Sequence, residues 1–492
     1  MSNRPDAAVI GTGPNGLAAA VTLARAGLRV ELHEQADTIG GGLRTQPLFA
    51  SDVTHDICAA VHPMAAASAF FREFDLAARG VRLIQPDIAY AHPLSRGRAV
   101  AAHRSLERTA QELGPDRERW LRLMAPLVAR SSGVVDLVLS GQRGMPDDTA
   151  AALHLIPRVL AHAARRSPLR TEEATALLTG VAAHSVGKLP SLASSAVGLL
   201  LGHLAHSTGW PLPEGGSARI AQAMADDIIA HGGTLHTGHR VTDLREFDGV
   251  PLVFCDTSAK GLLAIAGDRL PAGYRRSLER FRYGPGAAKV DFLVSGPIPW
   301  TNPVVGRAGT VHLGGSQAEM RRTETATARG RPGERPFVLV VDPAVTDPGR
   351  ANADGRRPVW AYAHVPAGDP RNPVDMVRRH IEHYAPGFGD TIIAERGVAA
   401  AELESYNPNY VGGDIGSGAM TLRQSLLRPA PRWDPYRTPL AGVYLCSAST
   451  PPGPSVHGMS GYLAARSALR REHHLAPPPL GPVGARLRDM TS

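Results

Sequence analysis

Cysteine is scarce in this chain. Cys58, Cys255 and Cys446 are the only three in 492 residues, and they are widely separated. No C-x-x-C pair occurs, which removes a redox dithiol and a cysteine-based zinc site, and no metal is expected. So few cysteines suit a reducing, cytoplasmic compartment. Lysine is equally rare: Lys188, Lys260 and Lys289 are the only three among 53 basic residues. The formal net charge of +8 is therefore carried by arginine. No basic run is interleaved with aromatics, so no nucleic-acid partner is expected. An arginine excess still leaves room for peripheral contact with anionic lipid. Aromatic residues make up only 5% of the chain, too few to favour an aromatic cage around an amine. No stretch of 18 strictly apolar residues exists. The nearest, 189–204, is broken by Pro190, Ser191, Ser194, Ser195 and His203, and reads as a buried helix or tunnel wall. The first strand is expected from about residue 7, which leaves no room for a leader peptide. No internal repeat is visible.

What is present is concentrated in the first 45 residues. The apolar run Ala7–Ile10 leads into Gly11-Thr12-Gly13-Pro14-Asn15-Gly16. A helical pattern with Leu17, Ala18, Ala20, Val21 and Ala24 on one face follows, and a second apolar run ends at Glu34. Glycines at 11, 13 and 16 permit a tight turn and let backbone N–H groups approach a diphosphate at a helix N-terminus. Glu34 lies 18 positions after Gly16, near the spacing of the acid that bonds a ribose 2′-OH. Directly after it, Gly40-Gly41-Gly42 supplies a second stretch of close-approach backbone, and Arg44 a planar cationic fork for phosphate. This pairing resembles FAD enzymes of the amine oxidase and phytoene desaturase superfamily.

The expected fold class is α/β: a Rossmann-type FAD-binding domain interrupted by a mixed helical and sheet substrate domain. Residues 1–85 read as the first part of the FAD-binding domain and 86–210 as a mainly helical cap. Residues 211–286 return to the FAD-binding domain, 287–425 form a sheet-bearing substrate domain, and 426–492 complete the first domain and add a Pro-rich tail. Strands are expected at 241–244, 251–255, 290–294, 337–341, 359–365 and 442–447, helices at 218–231 and 373–384, and a polar mobile loop at 321–335.

Four further segments carry a closer resemblance. They are His55-Asp56-Ile57-Cys58 with His62-Pro63; Tyr283-Gly284-Pro285-Gly286 through Asp291; Asn407-Pro408-Asn409-Tyr410-Val411-Gly412-Gly413-Asp414-Ile415; and residues 444–461, with Pro451-Pro452-Gly453 and Val456-His457-Gly458-Met459. Together they resemble the phytoene desaturase and carotenoid isomerase group of FAD-dependent oxidoreductases, within it the pyridine nucleotide-disulphide oxidoreductase domain-containing protein 2 branch. The disulfide pair in that branch's name is missing here. The resemblance implies FAD held by Gly11, Gly13, Gly16, Glu34, Gly41, Gly42 and Arg44. It also implies a flavin turn at Gly216, an adenine contact at the Val241 backbone, and a helix starting after Gly458 and Met459 that presents its positive end to the flavin.

Three residues stand out as catalytic candidates. His457 lies in the turn expected beside the flavin and exchanges protons near neutrality. Asp414 is either a base or a turn cap. Lys289 stands out because lysine is so rare here, and the resemblance to amine oxidases, which place a lysine near the flavin, makes it either such a residue or a surface or strand-end lysine. His55, Asp56 and His62 read as fixing a flavin-side loop, and Tyr406, Tyr410 and Trp433 as packing or cavity-lining residues, while Asp256 and Thr257 follow an apolar strand and either reach the dinucleotide or form a simple turn. The implied activity is dehydrogenation of a hydrophobic or polyunsaturated small molecule, with double-bond isomerisation an open addition. Oxygen, a quinone or another carrier would act as acceptor. The alternatives are amine oxidation, or a flavin-stabilised binding protein with little turnover.

Overall fold

The computed structural model describes residues 4–141, 147–333 and 335–482. The first unit is a five-stranded, all-parallel sheet. Its order is Val443–Leu445, Leu252–Cys255, Ala7–Ile10 (β1), Val30–His33 (β2) and Thr234–His236. The strands on either side of β1 are β2, close in sequence, and Leu252–Cys255, more than 200 residues later. β1 is wholly buried, as a strand covered on both faces must be.

The helix Pro14–Arg25 (α1) follows β1 directly. Gly13 is its N-cap and Pro14 opens its first turn, where a missing N–H costs nothing. All residues from Asn15 to Ala24 are buried, because α1 is wedged between the sheet, the helix Ala218–Ala230 and the C-terminal helix Met459–Glu472. The wedge is tight: a Cβ at Gly461 of the C-terminal helix would lie 1.8 Å from the Asn15 carbonyl oxygen. Alanines 18, 19 and 20 are small enough for this approach and are fully buried.

The second unit is a seven-stranded mixed sheet, in the order Ile392–Val398, Gly286–Val294, Arg357–Val365, Val338–Val341, Ala308–Leu313, Ile88–Pro93 and Ala99–His103. Its pairings are antiparallel except that of Ala308–Leu313 with Ile88–Pro93. The region expected as a helical cap therefore begins with two sheet strands, and its helices start only at Leu106. Three further expectations are corrected. Val241–Leu244 forms no strand: Asp243 caps a short 3-10 turn at Leu244–Phe247. The polar stretch from Arg321 begins inside a helix, Gln317–Thr327, started by a reciprocal Ser316–Glu319 capping box. Trp433 packs nowhere in the core, being 83% exposed. The run 189–204 is mostly the helix Leu192–His206, as the pattern implied. No helix among the described residues is long and apolar enough to cross a membrane.

Candidate active site

The two units meet around one cavity of about 520 Å³. At one end its wall is the loop after β1, from Gly11 to Asn15, with Glu34, Gly41, Gly42, Arg44, Val241 and Asp256. Elsewhere the wall is mainly apolar, with His184, Ser185, Thr310 and Tyr362 set into it. Val197, Leu200 and Leu201 come from the helix Leu192–His206, and Leu339, Val341 and Trp360 from the mixed sheet.

The glycine positions at the first end are sterically required. A Cβ at Gly16 would sit 2.2 Å from the Gly11 carbonyl oxygen, and one at Gly41 3.0 Å from the Gly13 Cα. One at Gly42 would meet the Tyr410 hydroxyl at 2.7 Å. Two backbone turns thus face each other across a gap that only bare backbone leaves open. Asn15 Oδ1 and Thr257 Oγ1 are buried there without a hydrogen-bond partner. Close-approach backbone at a helix N-terminus, with unspent polar groups beside it, fits a dinucleotide.

The two charged residues expected at the dinucleotide pair with each other. Arg44 donates to Glu34 Oε1 at 3.0 Å and to the Thr38 carbonyl at 3.1 Å. Glu34 Oε1 also accepts from the Ala36 N–H, and Oε2 from the Thr12 N–H and hydroxyl. Arg44 thus neutralises and orients Glu34 while it lines the cavity where a phosphate contact is expected. The carboxylate already holds four donors, so a ribose hydroxyl would take the place of one of them.

Each of the three catalytic candidates is engaged with partners inside the fold. His457 is fully buried and is not among the residues lining the cavity. Its Nδ1 accepts the Met459 N–H at 3.0 Å, which fixes the other nitrogen as the donor, 3.0 Å from the Gly453 carbonyl oxygen. Burial lowers its pKa to about 4, so it stays neutral. Both nitrogens are spent on closing the turn, and Met459 has no N–H left for a flavin. Gly458, too, faces away from the cavity: a Cβ there would be 2.6 Å from the Phe70 ring.

Asp414 does line the cavity, but it accepts three backbone N–H groups, from Gly284 at 2.7 Å, Gly416 at 2.8 Å and Gly418 at 2.9 Å. Burial pushes its carboxyl up against those donors. It organises the loop that it stands in. Lys289 is buried behind the wall and pairs with Asp291, two residues along the same strand face. Burial lowers its pKa while Asp291 opposes the shift. Gly216, expected at the flavin, packs against Thr45 instead: a Cβ would meet that side chain at 2.5 Å. Its neighbour Ser217 donates its N–H to Asp56 and its hydroxyl to the Ala59 carbonyl.

His457→Gln is accordingly expected to leave flavin reduction per bound FAD unchanged. It should cost about 1–3 kcal/mol of stability, the penalty for orphaning the Met459 N–H or the Gly453 carbonyl. Chemical denaturation and anaerobic single-turnover reduction separate the two effects. A large loss in the reductive step would restore His457 to the chemistry.

Asn409 has no role in the sequence reading, whereas Tyr406, Tyr410 and Asp256 do reach the cavity, one of the alternatives open to each. Asn409 clasps the turn after the strand Leu252–Cys255, donating to the Asp256 carbonyl and accepting from the Ser258 N–H. The Tyr410 hydroxyl donates to Cys58 Sγ at 3.2 Å, and that of Tyr406 to the Gly41 carbonyl. The N-P-N-Y segment thus ties the glycine turn after Glu34 to the strand end at Cys255. The side chain of Asp256 enters the glycine cradle.

Known proteins fit this architecture. The chain is 24% identical over 298 residues to pyridine nucleotide-disulfide oxidoreductase domain-containing protein 2 of Rattus norvegicus, covering 53% of this chain and 51% of that protein. It is 32% identical over 108 residues to a limonene dehydrogenase subunit of Castellaniella defragrans, 22% of this chain and 19% of that one. The chain thus spans about half the length of the rat relative and less of the other. Cyclohexylamine oxidase from Brevibacterium oxydans shares the fold, with a TM-score of 0.56 and 15% identity over 96% of this chain and 100% of that one. A profile of flavin containing amine oxidoreductases matches residues 15–269, just over half of the chain. With the glycine cradle and its unspent polar groups, this makes the protein an FAD-dependent oxidoreductase, a member of the flavin containing amine oxidoreductase family.

Proposed function

We propose that the protein dehydrogenates an apolar small molecule held between the helix Leu192–His206 and the mixed sheet. The observation that carries this reading is the far wall of the cavity, where Val197, Leu200, Leu201, Leu339, Val341 and Trp360 offer hydrocarbon surface. The carboxylates that line the cavity, Glu34, Asp256 and Asp414, all bond backbone or side-chain donors of the protein. None is left on the apolar wall to hold an ammonium group. The limonene dehydrogenase subunit, named for a hydrocarbon substrate, supports the same direction.

FAD, when bound, supplies a two-electron acceptor. The contribution of the chain is positional. The glycine cradle and Val241 set the dinucleotide, the closed turn at 453–459 fixes the backbone beside it, and the apolar wall excludes water and aligns the carbon to be oxidised. The electron acceptor in this reading would be oxygen, a quinone or another carrier. Only one G-x-G-x-x-G follows a strand and no cysteine pair is present, so NAD(P)H is expected to be a poor reductant.

Oxidation of a lipophilic amine is the second reading. The family profile and the fold of cyclohexylamine oxidase favour it.

The test is anaerobic titration of the holoenzyme with homologous series of hydrocarbons and of amines. Affinity for the apolar series should rise about fourfold per added CH₂, from about 0.8 kcal/mol each. Flavin bleaching should accompany loss of two hydrogens from the ligand. Bleaching by small amines alone, without dependence on chain length, would overturn the proposal in favour of amine oxidation.

A further inference from the structure

We propose that Asp256 takes up a proton when FAD binds, so that the cofactor is held by the neutral carboxyl group. Asp256 follows the strand Leu252–Cys255, and its side chain turns into the cradle formed by the loop after β1. Its Oδ2 accepts the Gly16 N–H at 2.9 Å. A Cβ at Gly13 would lie only 2.6 Å from the same oxygen. The carboxylate therefore occupies one of the first-turn N–H groups of α1, the part of the fold that receives a diphosphate. It is 7% exposed and lines the cavity.

The surroundings offer it no cation. From β2, Glu34 brings a second negative charge, already paired with Arg44. From its own strand and the neighbouring one come the thiols of Cys255 and Cys446, both held protonated by burial, Cys255 being pushed up to about 12. From α1 come only N–H dipoles. From the N-P-N-Y segment, Asn409 bonds the Asp256 main chain rather than its carboxylate. Among the described residues no salt bridge reaches Asp256, and burial followed by the charge of Glu34 raises its pKa to about 7. An incoming diphosphate adds negative charge at the same place, which favours the neutral acid further. Once protonated, one oxygen still accepts the Gly16 N–H, and the other becomes an O–H donor facing the phosphates. The proton comes from solvent, and no bond other than O–H is made.

The sign follows from linkage. A ligand that prefers the protonated form binds with constant affinity below the midpoint of the free carboxyl. It weakens as pH rises through that midpoint, by up to tenfold per pH unit for one proton. FAD is a phosphodiester-type anion whose phosphates do not titrate near neutrality. The imidazoles of His33 and His239 also line the cavity, with His236 stacked on His33, and Asp256→Asn separates their contribution from that of the carboxyl.

The experiment is titration of apoprotein with FAD, read by flavin fluorescence between pH 6 and 9, for wild type and Asp256→Asn. Wild type should lose affinity towards tenfold per unit above pH 7. Asp256→Asn, a permanently neutral isostere, should be flat and should bind more tightly than wild type at pH 8.5. Calorimetry of the wild type in two buffers of different ionisation enthalpy should give uptake of close to one proton at pH 8, a measurement that needs no variant. A flat wild-type profile, no buffer-dependent heat, or a slope retained in Asp256→Asn would overturn the proposal, the last assigning the proton to a histidine.

Discussion

Asp56→Ala is expected to remove about 3–5 kcal/mol of folding stability, the cost of leaving one partner of a buried ion pair alone. Asp56 ends the strand Val53–Asp56 and is 3% exposed. Its Oδ2 meets Arg350 Nη1 at 2.9 Å, and Oδ1 accepts from the Thr45 hydroxyl at 2.6 Å and the Ser217 N–H at 2.8 Å. Arg350 also donates to the Thr54 carbonyl at 2.9 Å and is itself 4% exposed. This node joins the strand pair after the glycine turn, the turn before the helix Ala218–Ala230, and a loop of the mixed sheet. Burial opposes the charge on Asp56, but the Arg350 guanidinium and the two further donors, Ser217 and Thr45, outweigh it and hold the carboxyl below its usual range. For a lowered folded pKa, the stabilisation is complete above the unfolded value near 3.9. It is lost as pH falls through the folded one. Urea unfolding of wild type should therefore show an acid-side decline that Asp56→Ala flattens. The double variant Asp56→Ala/Arg350→Met should recover much of the loss, because it removes the unpaired charge. A single-variant loss below about 1 kcal/mol would show that Arg350 finds another partner.

The dinucleotide unit was legible because its signals are local. Strand, glycine turn, helix, strand and acid fall within residues 7–34, and each is set by periodicity or backbone freedom at its own position. The mixed sheet was only half legible. Ile88–Pro93 pairs with Ala308–Leu313, more than 200 residues later, and the short strand Ala99–His103 is followed at once by helices. Nothing in a local window distinguishes these strands from the cap that follows them. The helix Gln317–Thr327 was missed for a different reason. Its apolar face is weak, but Ser316 and Glu319 stand at capping-box spacing, and that signal was readable.

The site followed the same division. Gly11, Gly13, Gly16, Gly41, Gly42, Glu34 and Val241 all reach the cavity or its glycine cradle, because the requirement for them is a backbone requirement. The partners of the catalytic candidates were not legible, because a titratable side chain in a promising turn says nothing of its hydrogen-bond partners. Those of His457 are the backbone of its own turn, whereas Asp414 takes one N–H from 130 residues away. Asp256 was visible as the residue after an apolar strand. Its contact with the cradle depends on Gly16, 240 residues earlier.

Gly16→Ala should leave a folded protein that has largely lost FAD. The added methyl would lie 2.2 Å from the Gly11 carbonyl oxygen and 3.1 Å from both the Asp256 Cβ and Oδ2. Neither the carbonyl nor the strand end can yield independently, since the Gly11 N–H is held by the His33 carbonyl and the Asp256 N–H by that of Ile10. The loop must open instead, and the N–H groups that approach the diphosphate move with it. Overpacking of this kind costs about 1–3 kcal/mol, and a clash with fixed backbone belongs at the upper end or beyond. If the cost falls on the bound form, FAD affinity drops roughly 150-fold or more. Gly273→Ala is the matched control. It adds the same methyl in the short helix Ala272–Glu279, where nothing lies within 4 Å, and should be neutral or stabilising by about 0.4–1 kcal/mol. Fluorescence titration with FAD, alongside circular dichroism of both apoproteins, separates lost affinity from lost fold. Gly16→Ala that binds FAD as tightly as Gly273→Ala would remove the loop after β1 from the cofactor site.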